Sequence, residues 1–158
     1  MVDFQFFEEL SSAEGKAYLG RYLEVVAQGW AELAVEAASE GVDVRPRFES
    51  IVPVLSWVRR RLIEAGGLAA VDSQASKVLI LRASYFLGEC FATEVSHLKW
   101  AVGAPGVAIQ NQPVVTGFKY EMELAPLLVC ENLLRHGLRN PSDLTRFETA
   151  VAYWRRLL

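Results

Sequence analysis

Apolar residues recur at every third or fourth position along most of the chain, which is the spacing that places them on one face of an α-helix. In the first such segment the stripe consists of Tyr18, Tyr22, Leu23, Val26, Trp30, Leu33 and Ala37. Similar stripes occur in four later segments. The pattern predicts five helices, over about residues 12–39, 47–65, 73–98 and 123–136 and from residue 140 onwards.

Residues with preferences for helix ends mark several of these boundaries. Ser11 or Ser12 can cap the first helix. Pro53 has no backbone N–H and suits a first turn, so the regular part of the second helix is expected to begin near Ser50. Gly137 is expected to end the fourth helix.

Between the third and fourth helices the pattern changes to short runs typical of β-strands. These runs are Lys99–Val102, Val107–Ile109 and Pro113–Thr116, with a turn signal at residues 104–106 between the first two. We therefore predict a small antiparallel β-meander at this point. The fold class is α+β, mainly helical, and the chain length of 158 residues suits a single domain over residues 1–158.

The third predicted helix is apolar on nearly all sides, which is typical of a helix at the centre of a domain. Gly88 lowers its stability relative to alanine, so we expect another part of the chain to approach closely there. Glu89 follows Gly88, and a carboxylate in such surroundings needs partners. We interpret Glu89 and Arg82 as a structural polar brace. In the alternative, Glu89 is the centre of a small enzyme or ligand-binding site.

Composition excludes several classes of protein. Hydrophobic residues make up 52% and charged residues 22% of the chain, as in ordinary soluble domains. The net charge of −3 gives no basic excess for binding nucleic acid. No uninterrupted apolar run suits a membrane span, the N-terminus lacks signal-peptide features, and Cys90 and Cys130 have the setting of core residues. We expect a cytoplasmic protein that binds neither membranes nor nucleic acid.

Motifs for catalysis, metals and cofactors are absent from the sequence. It contains no HExxH, CxxC, Walker loop, GxGxxG or GxSxG. His97 and His136 fall near helix ends and, with two separated cysteines, make a weak set of zinc ligands. We therefore expect no metal, no cofactor and no enzymatic activity.

Charge is distributed unevenly along the chain. Residues 1–44 carry nine acidic and two basic residues, whereas residues 45–158 carry ten acidic and fourteen basic residues. In one interpretation the two parts attract each other across the core. Alternatively, the acidic helix face containing Glu32 and Glu36 is a docking face for a basic partner. The amide-rich loop Gln110, Asn111 and Gln112 is a second candidate for partner binding, because loops often carry recognition.

One group of short motifs resembles those of known families. These motifs are Gly88-Glu89, Trp100 at a strand start, Gln112-Pro113-Val114, and Ala125-Pro126 at a helix start. The arrangement resembles several small bacterial domain families of unknown function, some members of which look like immunity proteins of polymorphic toxin systems. The resemblance covers about a third of the chain and implies a bacterial binding protein that occludes a cognate toxin domain. No catalytic residues transfer with it.

Overall fold

The first predicted helix is present over its full length but has three parts. The computed structural model describes residues 7–143 and 145–158, and within it α1 (Ser12–Arg21) leads through a π-helical turn (Tyr22–Val26) into α2 (Ala27–Ser39). Ser11 and Glu14 form a capping box, in which each side chain accepts a hydrogen bond from the other residue's backbone N–H. The sequence prediction for residues 12–39 is confirmed.

The remaining helices are α3 (Phe48–Glu64), α4 (Gln74–Glu94), α5 (Pro126–Arg139) and α6 (Thr145–Arg156). Several predicted boundaries are wrong. The helix α4 ends at Glu94 rather than near residue 98, α5 begins at Pro126 rather than near residue 123, and α6 begins at Thr145 rather than at residue 140. The helix α3 begins before Ser50 and contains Pro53, because the Glu94 carboxylate of α4 accepts a hydrogen bond from the Phe48 N–H at 3.1 Å and so caps the earlier start. The helix α5 continues past Gly137, which is buried within it.

The sheet is a two-stranded hairpin among the described residues. Strand β1 (Lys99–Val102) pairs antiparallel with β2 (Pro113–Thr116), and Trp100 lies opposite Val115. The predicted third strand, Val107–Ile109, is wrong: these residues lie in turns instead. The loop is closed by backbone hydrogen bonds between Gly103 and residues 111 and 112, which leave no room for a strand pairing. The α+β class, with strands between the third and fourth predicted helices, is confirmed.

The core surrounds α4, as its apolar circumference predicts. This helix packs against α2, α3, α5 and both strands. Its Ser84 hydroxyl and the Tyr22 hydroxyl form a buried hydrogen bond of 2.7 Å, and burial raises the pKa of Tyr22 well above its ordinary value. Cys90 and Cys130 are buried free thiols, and burial raises the pKa of each.

At the N-terminal end, Phe7 is buried with its ring centroid 5.0 Å from that of Tyr18. The preceding residues 1–6 lie outside the described residues, as does Leu144. Within the described ranges no helix combines the length and the apolar character that crossing a membrane requires.

Candidate partner-binding surface

The acidic face of α2 is paired with basic residues of the same molecule. Glu32 lies 3.6 Å from Arg82 of α4, and Glu36 pairs with Arg61 of α3. One turn later Glu40 forms an ion pair with Arg60, and this hydrogen bond lowers the pKa of Glu40. The acidic and basic parts of the chain thus meet within the fold. Glu32 and Glu36, which were expected to contact a partner, each have an internal partner.

Arg82 lies beside α2 and takes part in no contact with Glu89. Its guanidinium covers Gly29, where a Cβ would stand 2.6 Å from the arginine Nε. Its ion-pair partner is Glu32. The expected association of Arg82 with Glu89 is therefore corrected: the two residues are separate links between α4 and other elements.

Glu89 is half-buried and accepts two hydrogen bonds at the start of the sheet. Trp100 Nε1 donates to Glu89 Oε2 at 3.1 Å, and Thr93 Oγ1 donates to Glu89 Oε1 at 3.2 Å. The Trp100 indole lies parallel to the Tyr85 ring, with centroids 6.1 Å apart. Burial, followed by the nearby Glu89 carboxylate, raises the pKa of Tyr85. This arrangement fixes β1 against α4.

Gly88 makes that arrangement sterically possible. A Cβ at residue 88 would lie 2.1 Å from Trp100 Cη2 and 2.9 Å from Pro126 Cγ. The close approach expected from a glycine inside this helix is confirmed, and the approaching group is the indole of β1. Glu89 does not line either of the two grooves described below.

Replacing Glu89 by leucine is expected to destabilise the protein by about 1 kcal/mol, because the half-buried Trp100 N–H loses its acceptor. Glu89→Gln keeps an acceptor oxygen and is expected to lose less. Chemical denaturation of the two variants measures the difference. If Glu89→Gln is as destabilising as Glu89→Leu, the negative charge matters rather than the hydrogen bond.

The amide loop is occupied by contacts within the molecule. Asn111 is only 6% exposed, and its Nδ2 donates to the carbonyl oxygens of Phe7 at 3.1 Å and Leu10 at 2.6 Å. The expectation that Asn111 contacts a partner is corrected, because its side chain is buried and its amide group already donates to the N-terminal segment. Gln110 accepts from the Gly106 N–H at 2.7 Å, and the Gln112 amide is directed at the Ala108 carbonyl at 3.4 Å.

An exposed apolar surface lies next to this loop. We call it the turn face. It consists of Val107, Ala108, Ile109, Glu121 and Met122, which line one groove, and of Tyr120, which precedes Glu121 in the chain and is not one of the lining residues. Its groove has a volume of about 470 Å³ and is completed by Ala104 and Glu123. Tyr120 is 85% exposed and Val107 52%, and Tyr120 has the highest exposure among the large apolar side chains of the described residues. Residues 120–122 were not predicted to belong to a binding surface.

Two consecutive residues of the turn face have left-handed backbone conformations. Tyr120 has φ 59° and Glu121 has φ 54°. Such a conformation costs a non-glycine residue roughly 1–2 kcal/mol. It is held from both sides: the Lys119 N–H donates to the Leu157 carbonyl at 2.8 Å, and Leu124 pairs with Val115 of β2. The fold therefore maintains a strained turn that displays a tyrosine to solvent.

The surroundings of the turn face are acidic. Glu121 is exposed, and Glu123 accepts a hydrogen bond from the Ala104 N–H at 3.2 Å. Glu8 and Glu9 are exposed on the 3-10 turn that Asn111 holds against the loop. The basic residue next to Tyr120 in the chain is Lys119. The groove of the turn face is therefore apolar and has carboxylates at its border.

Other candidate chemistry is limited. Among residues 7–143 and 145–158 no three histidine, cysteine, aspartate or glutamate side chains are grouped closely enough to hold a metal ion. His136 pairs with Asp143 at 3.0 Å, and this contact lowers the pKa of Asp143. The pair links the end of α5 to the segment before α6 and needs no ligand to explain it.

The turn face combines an apolar groove, carboxylates at its border and an exposed tyrosine next to Glu121 in the chain. Comparison with protein-family models, with curated proteins and with solved structures finds no match to this chain.

Proposed function

We propose that this chain is a cytosolic protein-binding protein of the inhibitor or immunity kind, which occludes a partner such as a toxin domain with its turn face. The observation that carries the proposal is Tyr120, which is 85% exposed and held in a left-handed conformation, and whose neighbours in the chain, Glu121 and Met122, line an apolar groove. Strained backbone is retained where it serves a function, and display of a side chain to a partner is one such function.

The physical case rests on the composition of the surface. Tyrosine is among the residues that contribute most to binding energy at the centre of protein interfaces. Val107 and Met122 supply apolar area next to Tyr120, and the border of carboxylates supplies the polar rim that interfaces have. Because Glu121 and its neighbours are negative, the edge of the partner that meets them is expected to be basic.

The proposal predicts a stoichiometric partner. We expect the chain, purified from its native host at low salt, to retain one protein whose own activity falls when the purified chain is added back. Tyr120→Ala is expected to weaken this complex at least about tenfold, because truncating a central aromatic residue at an interface costs about 2 kcal/mol or more. Isothermal titration calorimetry with the purified partner measures the change.

A matched control tests whether the surface, rather than exposure in general, is responsible. Val107→Glu places a charge on the turn face, whereas Val35→Glu places the same charge on α2, where Val35 is 72% exposed. We expect Val107→Glu to abolish binding and Val35→Glu to leave it unchanged. Recovery of no stoichiometric partner would contradict the proposal, and so would binding by Tyr120→Ala and Val107→Glu that is as tight as that of the parent protein.

A further inference from the structure

A second groove, between α5 and α6, differs from the turn face in charge. It has a volume of about 280 Å³, and Leu133, Ala150 and Trp154 supply its apolar lining. Its polar lining comes from α6: Arg146, Thr149, Tyr153 and Arg156. These four residues follow the spacing i, i+3, i+7 and i+10, so they form one line along the helix. We call this line with its apolar lining the α6 groove.

The two arginines of the α6 groove contrast with most others in the protein. Within the described ranges, six of the twelve arginines are paired with carboxylates, among them Arg60, Arg61, Arg82 and Arg135, whereas Arg21, Arg59, Arg139 and Arg155 are not in these pairs. Among the described residues no carboxylate lies within ion-pair distance of Arg146 or Arg156. The acidic residue of the same helix, Glu148, stands on the opposite side, about 200° around the axis from Arg146.

The spacing of these charges indicates an elongated ligand. Ten residues separate Arg146 from Arg156, which places their Cα atoms about 15 Å apart along α6. One small anion cannot occupy both ends of such a line. A helix lying alongside, with carboxylates seven positions apart and an apolar residue between them, presents charges at about 10 Å and fits within the reach of two arginine side chains.

We propose that the α6 groove binds an acidic, amphipathic helical segment of another protein. The carboxylates of the segment pair with Arg146 and Arg156, and its apolar residue packs on Tyr153, Ala150 and Leu133. Arginine, tyrosine and tryptophan are the residue types most enriched at the centres of protein interfaces, and the groove contains all three. The charge complementarity selects an acidic segment over a basic one.

The α6 groove adjoins the turn face. Trp154, which lines the groove, packs its ring 5.2 Å from that of Phe118, and the Leu157 carbonyl accepts the hydrogen bond from Lys119. A single partner is thus able to reach both surfaces. The proposal for the α6 groove does not depend on the turn face, because it stands on the residues of α5 and α6 alone.

A labelled helical peptide with glutamates seven positions apart around a leucine is the probe, titrated against the full chain by fluorescence anisotropy. We expect saturable binding that weakens about tenfold in Arg146→Ala and in Arg156→Ala, and falls as salt rises from about 0.05 to 0.3 M. The same peptide with glutamine in place of glutamate is expected to bind at least about tenfold more weakly. Arg21→Ala, an exposed arginine on α1, and Tyr120→Ala are the controls and should bind the peptide normally.

Four results would overturn the proposal. The first is that the glutamine peptide binds as tightly as the glutamate peptide, which would show that the groove recognises apolar area and not charge. The second is complete competition by inorganic phosphate at low millimolar concentration, which would reduce the site to a general anion site. The third is a dimer of the free chain in sedimentation that Arg146→Ala dissolves, since the occupant would then be a second copy. The fourth is loss of peptide binding in Tyr120→Ala but not in the two arginine variants, which would place the peptide on the turn face. Circular dichroism confirms that each variant is folded.

Discussion

Gly88→Ala is expected to destabilise the protein by about 2–3 kcal/mol, although alanine is the better helix former by about 1 kcal/mol. The added methyl group would lie 2.1 Å from Trp100 Cη2, and the indole cannot retreat because it stacks on Tyr85 and packs on Tyr22. On the other side the added methyl group would lie 2.9 Å from Pro126 Cγ. Thermal unfolding should show the melting temperature falling by roughly 5–10 °C.

Gly20→Ala is the matched control, because it makes the same substitution in α1 where nothing lies within 4 Å of the new methyl group. We expect it to raise stability by up to about 1 kcal/mol. In the Gly88→Ala background, Trp100→Phe removes the outer ring atoms that clash and should restore part of the loss. A Gly88→Ala protein as stable as the parent would contradict the packing described for the indole.

Asn111→Ala is expected to destabilise the protein by about 2–4 kcal/mol, from two causes. The residue has φ 62°, a conformation that costs alanine about 1 kcal/mol or more. In addition, the carbonyl oxygens of Phe7 and Leu10 lose their amide donor inside the structure. Limited proteolysis before Ser12 should become faster, and urea denaturation measures the loss of free energy.

Asn111→Gly separates the two causes, because glycine adopts a positive φ without strain but provides no side-chain donor. We expect its stability to lie between those of the parent and Asn111→Ala. Gln110→Ala, which removes an exposed hydrogen bond to Gly106 in the same loop, is expected to cost little. If Asn111→Gly and the parent protein are equally stable and equally resistant to protease, the amide does not hold the N-terminal segment.

Helices were predictable because their apolar stripes are long and regular, and an error at a boundary can come from a contact that is distant in the sequence. The start of α3 depends on Glu94, a residue 46 positions later that caps Phe48, and no local pattern contains that information. The run Val107–Ile109 has the composition of a strand, but a strand needs a neighbour to pair with. Hydrogen bonds between Gly103 and the far side of the loop exclude one.

The candidate surface was predictable only in part. Gly88 correctly indicated a close approach, and the same signal exists at Gly15, which lies against Asn111, and at Gly29, which lies against Arg82. A glycine inside a helix indicates such a contact, but the sequence does not identify the residue that approaches it. The left-handed conformations of Tyr120 and Glu121 carry no signal of their own, because they are imposed by contacts with β2 and the end of α6.

The π-helical turn at Tyr22–Val26 has a consequence for how the length of this protein can vary. Such a turn holds one residue more than α-helix over the same rise, so α1 and α2 keep their faces toward the core on either side of it. A chain lacking Glu24 or Val25, both exposed, would close the turn as ordinary α-helix without rotating either flank. A deletion in the middle of α2 would instead turn the residues beyond it by about 100° and carry Glu36 away from Arg61. Related chains are therefore expected to gain or lose a single residue at this turn rather than elsewhere in the helix.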